Sequence, residues 1–132
     1  MSYRILVVDD SAVSRRMVCR AISMSGLDVG RVFDAANGKE ALSVLDKEWV
    51  DIVFTDIHMP EMDGVELVAQ MAEHDMLKAL PVVVVSSDRN EEQADALRKR
   101  GIRAYVKKPI GPEELRDVIQ KIFAPEEGAP HA

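Results

Sequence analysis

The chain has 132 residues, is 47% hydrophobic and 30% charged, and carries a formal net charge of −6. That length predicts one domain with room for a real core, and the acidic balance argues against nucleic acid or an anionic membrane surface as a direct partner. A single cysteine, Cys19, excludes an internal disulfide and favours a reduced, cytoplasmic setting. No apolar run approaches the roughly 18 residues of a membrane span, and MSYRILVVDD is too short and too acidic at its end for a signal peptide.

RILVV (4–8) reads as the first strand. Val13, Met17 and Ala21 recur every four residues, which predicts a helix with those three on its apolar face, ending near Gly26. RVFDA (31–35) is the second strand. Asn37 with Glu40 resembles a capping box, and Ala41, Leu42 and Leu45 share a face of the helix that follows. DIVFT (51–55) is the third strand; it runs into Asp56 and a proline-marked loop, HMPEMDG (58–64), before a helix with Val65, Val68 and Met71 inward. PVVVVS (81–86) is the fourth strand. A weaker helix over about 90–100 has Ala94 and Leu97 as its stripe and stops at Gly101. RAYVK (103–107) is the fifth strand, and Gly111-Pro112-Glu113-Glu114 opens a last helix with Leu115, Val118, Ile119 and Ile122 inward. The stretch APEEGAPHA (124–132) lacks an apolar pattern and reads as a flexible tail or the stub of a linker.

Five strand–helix alternations imply right-handed crossovers and an α/β fold, a parallel sheet covered by helices on both faces. The near-continuous apolar runs Ile5–Val8 and Val82–Val85 suit strands buried on both sides. In such a sheet all strand C-termini lie on one edge, where ligands bind. Asp9 and Asp10 end the first strand, Asp56 the third and Ser86 the fourth, while Lys108 follows the fifth. Three carboxylates so close repel one another unless compensated. A hard divalent cation such as Mg²⁺ would take oxygen ligands from them, and Lys108 supplies a positive charge. A metal, a lysine and a hydroxyl around one aspartate suit phosphoryl transfer with Asp56 as nucleophile.

Each residue also has a plainer role open to it. Asp9-Asp10 could cap the next helix, Asp56 could be a turn residue, Ser86 could be a cap, and Lys108 could be as solvated as its neighbour Lys107. Tyr105 could be an ordinary strand aromatic. His58 reads as an exposed loop residue rather than a metal ligand through its ring.

ILVVDD (5–10), DIVFTDIHMPEMDG (51–64), VVVVSS (82–87) and YVKKP (105–109), in that order and spacing, resemble the response-regulator receiver domains of two-component signalling, above all the single-domain chemotaxis (CheY-like) type. The resemblance spans roughly residues 3–123 and implies a receiver domain over 1–123. It implies a three-layer flavodoxin-like (βα)5 fold with strand order 2-1-3-4-5. It also implies Asp56 as phosphoacceptor and Mg²⁺ as cofactor, for which Mn²⁺ can substitute. The metal would be held by Asp10 directly, by Asp9 through water, by Asp56 and by the backbone carbonyl of His58. Ser86 and Lys108 would bind the phosphoryl group, Tyr105 would turn inward on activation, and the Lys108-Pro109 peptide would be cis. His58 and Asp88 occupy positions that tune phosphate lifetime in the family.

The implied partners are a sensor histidine kinase or phosphotransfer protein, and a downstream protein docking on the helix 4–strand 5–helix 5 face, in a monomer or weak dimer. A basic stretch there, Arg98, Lys99, Arg100, Arg103 and Lys107, stands against the net acidic charge, although basic residues at a helix C-terminus also suit the macrodipole. Such a chain would catalyse its own phosphotransfer and dephosphorylation without being a turnover enzyme. Three rivals stay open: a haloacid-dehalogenase-like phosphatase, which needs a second acid where His58 stands; a pseudo-receiver that binds without phosphorylation; and a fragment of a longer regulator with an output domain.

Overall fold

The computed structural model describes residues 2–88 and 90–124; the tail expected beyond Ala124 lies outside the described residues. Strands and helices alternate: β1 (Tyr3–Val8), α1 (Ala12–Ser23), β2 (Val29–Ala35), α2 (Gly38–Lys47), β3 (Ile52–Thr55), α3 (Gly64–Glu73), β4 (Val82–Ser86), α4 (Glu91–Lys99), β5 (Ala104–Lys107) and α5 (Pro112–Phe123). All strand pairs are parallel, in the order β2-β1-β3-β4-β5.

Side-chain alternation along the strands splits the interior into two cores. Leu6, Val8, Val53, Val82 and Val84 face α2, α3 and α4, where they meet Ala41, Leu67, Val68, Met71, Ala94 and Leu97. Ile5, Val7, Ile52, Phe54, Val83 and Val85 face α1 and α5, where they meet Val18, Ala21, Ile22, Leu115 and Ile119. This two-sided burial is why the strands read as continuous apolar runs.

The helix signals act largely as expected. The Asn37 side chain accepts from Glu40 N at 2.9 Å, while Glu40 Oε1 reaches back to Ala36 N at 3.0 Å, one residue before the cap itself. Gly26 and Gly101 follow α1 and α4 with φ of +82° and +108°, and Gly111 precedes Pro112 at the start of α5.

One expectation fails. Of the predicted α1 stripe, only Ala21 is buried; Val13 and Met17 are 59% and 54% exposed. The buried face is Val18, Ala21 and Ile22. A spacing of four overshoots the 3.6-residue turn, so the 13-17-21 row winds around the helix, and the first turn of α1 lies beside the carboxyl edge of the sheet rather than over it. Among the described residues no helix is long and apolar enough to cross a membrane.

Candidate functional site at the carboxyl edge

Backbone pairing carries past the strand ends and places the acids. Asp9 N donates to Ala35 O at 3.0 Å, and Asp56 N donates to Val8 O at 2.9 Å. Asp9 and Asp56 are therefore held side by side, 2% and 9% exposed, with Asp10 exposed at the rim. One carboxylate oxygen from each of Asp9, Asp10 and Asp56 lies within 4.8 Å of the others.

The loop after β3 folds tightly around Asp56. Gly64 N donates to Ile57 O at 2.7 Å, and any Cβ at Gly64 would collide with the carbonyl oxygen of Asp56. The Asp63-Gly64 pair follows from that close approach: Asp63 caps α3 by accepting from Glu66 N at 2.9 Å, and Gly64 lets the helix start against the backbone of Asp56. Ile57 N donates to Asp56 Oδ1 at 2.7 Å.

Lys108 reaches the site from the other end of the sheet. The peptide to Pro109 is cis, and Lys108 N donates to Ser86 O at 2.9 Å. Its ammonium donates to Asp9 Oδ2 at 2.7 Å and Asp56 Oδ2 at 2.9 Å. Burial alone would lower the Lys108 pKa, but hydrogen bonds to Asp9 and Asp56 outweigh it and push it above the usual lysine range. Burial would likewise raise that of Asp9, but hydrogen bonds from Lys108, Ser14 and Ser11 N win and hold the carboxyl below its usual value. The ammonium thus offsets the crowding for two of the three acids. Among the described residues no side chain pairs with Asp10.

The remaining predicted residues gather around Asp88. Ser86 is fully buried, and its Oγ accepts from Asp88 N at 3.2 Å. The Tyr105 hydroxyl donates to Asp88 O at 2.7 Å, and the residue is 7% exposed. Tyr105, expected to turn inward only on activation, already occupies the inward position. His58 is exposed, as its loop setting suggested, and its Nε2 lies 3.0 Å from Asp88 Oδ2, so the two expected tuning residues touch across the mouth of the site.

The basic stretch does not form one cluster. Arg98, with Asp95 3.2 Å away, lies with Lys99, Arg100 and Arg103 where α4 ends and β5 begins. Lys107 ends β5, about 13 Å further along the strand.

Sequence reasoning missed three contributors. Ser11 caps α1 and its N–H donates to Asp9 Oδ1 at 2.9 Å; Ser14 Oγ donates to Asp9 Oδ2 at 2.6 Å; and Arg15 donates to Asp9 O at 2.7 Å while pairing with Asp34 at 3.2 Å. Their signal is two serines in the four residues after an acid pair, at a strand-to-helix junction. A surface cavity of about 560 Å³ lies between α2 and α3, away from this chemistry.

Known proteins share this fold and sequence pattern. The response regulator receiver domain family matches residues 5–120. The chain belongs to that family. A chemotaxis protein CheY homolog of Campylobacter jejuni is 31% identical over 121 residues, covering 91% of this chain and 92% of the relative. The chemotaxis response regulator CheY4 of Vibrio cholerae superposes with a TM-score of 0.81 at 28% identity, over 93% of this chain and 100% of that one. The phosphorylated cyanobacterial phytochrome response regulator RcpA gives 0.76 at 25% identity, over 92% and 91%.

Proposed function

We propose that this receiver domain accepts a phosphoryl group on Asp56 from a phosphohistidine donor, in a Mg²⁺-dependent reaction, and signals through protein contacts. The observation that carries the reading is the Asp56 carboxylate at the end of β3, its Oδ2 held by Lys108, beside Asp9 and Asp10. The donor set fits the metal: three carboxylates at one edge offer the hard oxygen ligands that Mg²⁺ or Mn²⁺ prefers. Asp10 and Asp56, with Asp9 and the carbonyl of His58, would hold it. When bound, it supplies charge neutralisation for the transferring group.

In the step itself, an Asp56 carboxylate oxygen attacks phosphorus as the P–N bond to the donor imidazole breaks, and the imidazole leaves with that electron pair. Lys108 neutralises charge on a phosphoryl oxygen, a role its position between two acids prepares. Water then attacks phosphorus, releasing inorganic phosphate and restoring Asp56. The chain promotes both reactions on itself and does not turn over a substrate, which sets it apart from a phosphatase. A fully buried Ser86 beside the site, and Tyr105 tied to the same Asp88 loop, supply a switch: contacts that exist only with a phosphoryl group present shift the loop population.

The donor protein has a surface available. Val13 and Met17 stand exposed on α1 with Arg16 and Arg20, next to Pro109 and the acid pocket. The face of α4, β5 and α5 serves the downstream target, in the setting of the cytoplasm. Incubation with Mg²⁺ and acetyl phosphate should add one phosphoryl mass to the intact protein, and Asp56→Asn should abolish it; full phosphorylation of that variant would sink the assignment.

A further inference from the structure

Asp9 is the acid of the pocket whose carboxylate is held most completely by the protein. At 2% exposure, its Oδ1 accepts from Ser11 N at 2.9 Å, and its Oδ2 accepts from both Ser14 Oγ at 2.6 Å and Lys108 Nζ at 2.7 Å. A carboxylate offers about four lone-pair positions, so Oδ2 is filled and one position on Oδ1 is left. Ser14 and Lys108 also line one small cavity of about 50 Å³ with Met17, Val18, Pro109 and Ile110. A hydroxyl and an ammonium therefore share one oxygen and one wall.

We propose that Ser14 is a positioning residue for phosphoryl transfer: its hydroxyl keeps Asp9 Oδ2 satisfied while Lys108 Nζ turns from that oxygen to a phosphoryl oxygen on Asp56. The proposal rests on the reading of Asp56 as phosphoacceptor. A buried carboxylate oxygen left without a donor carries its full desolvation penalty. With Ser14 in place, Oδ2 keeps a strong, short partner when Lys108 leaves. Without it, Lys108 is the sole donor to Oδ2 among the described residues and is held back from the phosphoryl group. Removing a neutral donor does not lower the demand of Asp9 for a cation, so Mg²⁺ affinity and transfer rate separate.

Ser14→Ala isolates the hydroxyl, because the cap bond from Ser14 N to Ser11 Oγ at 3.1 Å is made by the backbone. Ser14→Thr restores the hydroxyl, with the cavity behind it open to a methyl group. Phosphorylation by acetyl phosphate at saturating Mg²⁺, followed by intact mass, should slow about tenfold in Ser14→Ala and recover in Ser14→Thr. The Mg²⁺ dissociation constant, by calorimetry, should be unchanged or tighter in both. An unslowed Ser14→Ala, or a parallel loss of Mg²⁺ affinity and rate, overturns the proposal. If the unaltered protein takes no phosphoryl group on Asp56, the functional reading fails instead. Ser14 is then judged by proton exchange of the Lys108 ammonium in NMR: slower exchange in Ser14→Ala supports the shared-oxygen arrangement, and unchanged exchange overturns it.

Discussion

At the amino edge of the sheet, Asp51 Oδ2 accepts from Arg4 N at 2.8 Å and Oδ1 accepts from Trp49 Nε1 at 3.1 Å, while the Arg4 guanidinium reaches Trp49 O at 2.7 Å and Glu48 at 3.3 Å. At the carboxyl edge, Asp9, Asp10 and Asp56 crowd together, and among the described residues the one side-chain cation paired with them is Lys108, which reaches Asp9 and Asp56. The residue types are similar and the outcome is opposite. Asp51 and Glu48 each have a donor there, so their charge ties the start of β1 to the segment that leads into β3. The acids at the carboxyl edge outnumber their cation, which leaves demand that a metal ion and a phosphoryl group can meet. An edge built for the fold is satisfied internally; an edge built for a ligand is left short.

The sharpest way to break the contrast is Lys108→Ala. It leaves Asp9, and Asp56 beside it, without their shared cation, and should cost about 3 kcal/mol of unfolding free energy. Urea denaturation reads the loss, and added Mg²⁺ should recover a larger part of stability than in the unaltered protein. Equal Mg²⁺ responses would mean that the carboxyl edge is not short of positive charge. Asp51→Ala tests the other edge. Two hydrogen bonds to a half-buried carboxylate are lost, for about 2 kcal/mol, and Mg²⁺ should return none of it.

A smaller effect isolates the metal. Mg²⁺ at ten times its dissociation constant should stabilise the unaltered protein by about 1.4 kcal/mol, visible as a rise in Tm. Asp10→Asn should remove most of that rise while leaving the stability without metal nearly as it was, since among the described residues no side chain pairs with Asp10. A full Mg²⁺ response in Asp10→Asn would displace Asp10 from the metal site.

The smallest effect is in pH. The Asp9 pKa is held below its usual value, so its contribution is fully present above about pH 4 and is lost as pH falls through the lower folded value. The Lys108 pKa is raised, so its contribution is fully present below about pH 10 and is lost as pH rises through the higher folded value. Denaturation across pH should show both limbs, and the alkaline one should be absent from Lys108→Ala.

Much of this was legible because it is local or periodic. Five β-rich runs divided by caps, glycines and a proline specify a parallel α/β sheet, and a parallel sheet collects strand ends on one edge. Asp9, Asp10, Asp56, Ser86 and Lys108 could be grouped from that rule alone, although Asp9 and Lys108 are 99 residues apart in sequence. Arg4 and Asp51 escaped notice because their pairing joins two strand beginnings through backbone groups, Arg4 N to Asp51 Oδ2 and Asp51 N to Arg4 O, for which no side-chain pattern exists.

The sequence by itself determined the elements, their order and the acids at the strand ends, since propensity, capping and alternation act over a few residues. Only the tertiary structure decided which side of a helix has a neighbour. Val13 and Met17 carry the same apolar signal as Val18 and Ile22, but the sheet and α5 lie across from the second pair and not the first. It also decided what each polar group meets: Ser14 at Asp9, Tyr105 inward at Asp88, His58 across the mouth at the same residue. Burial and hydrogen bonding are properties of pairs of surfaces, and a one-dimensional pattern describes one surface at a time.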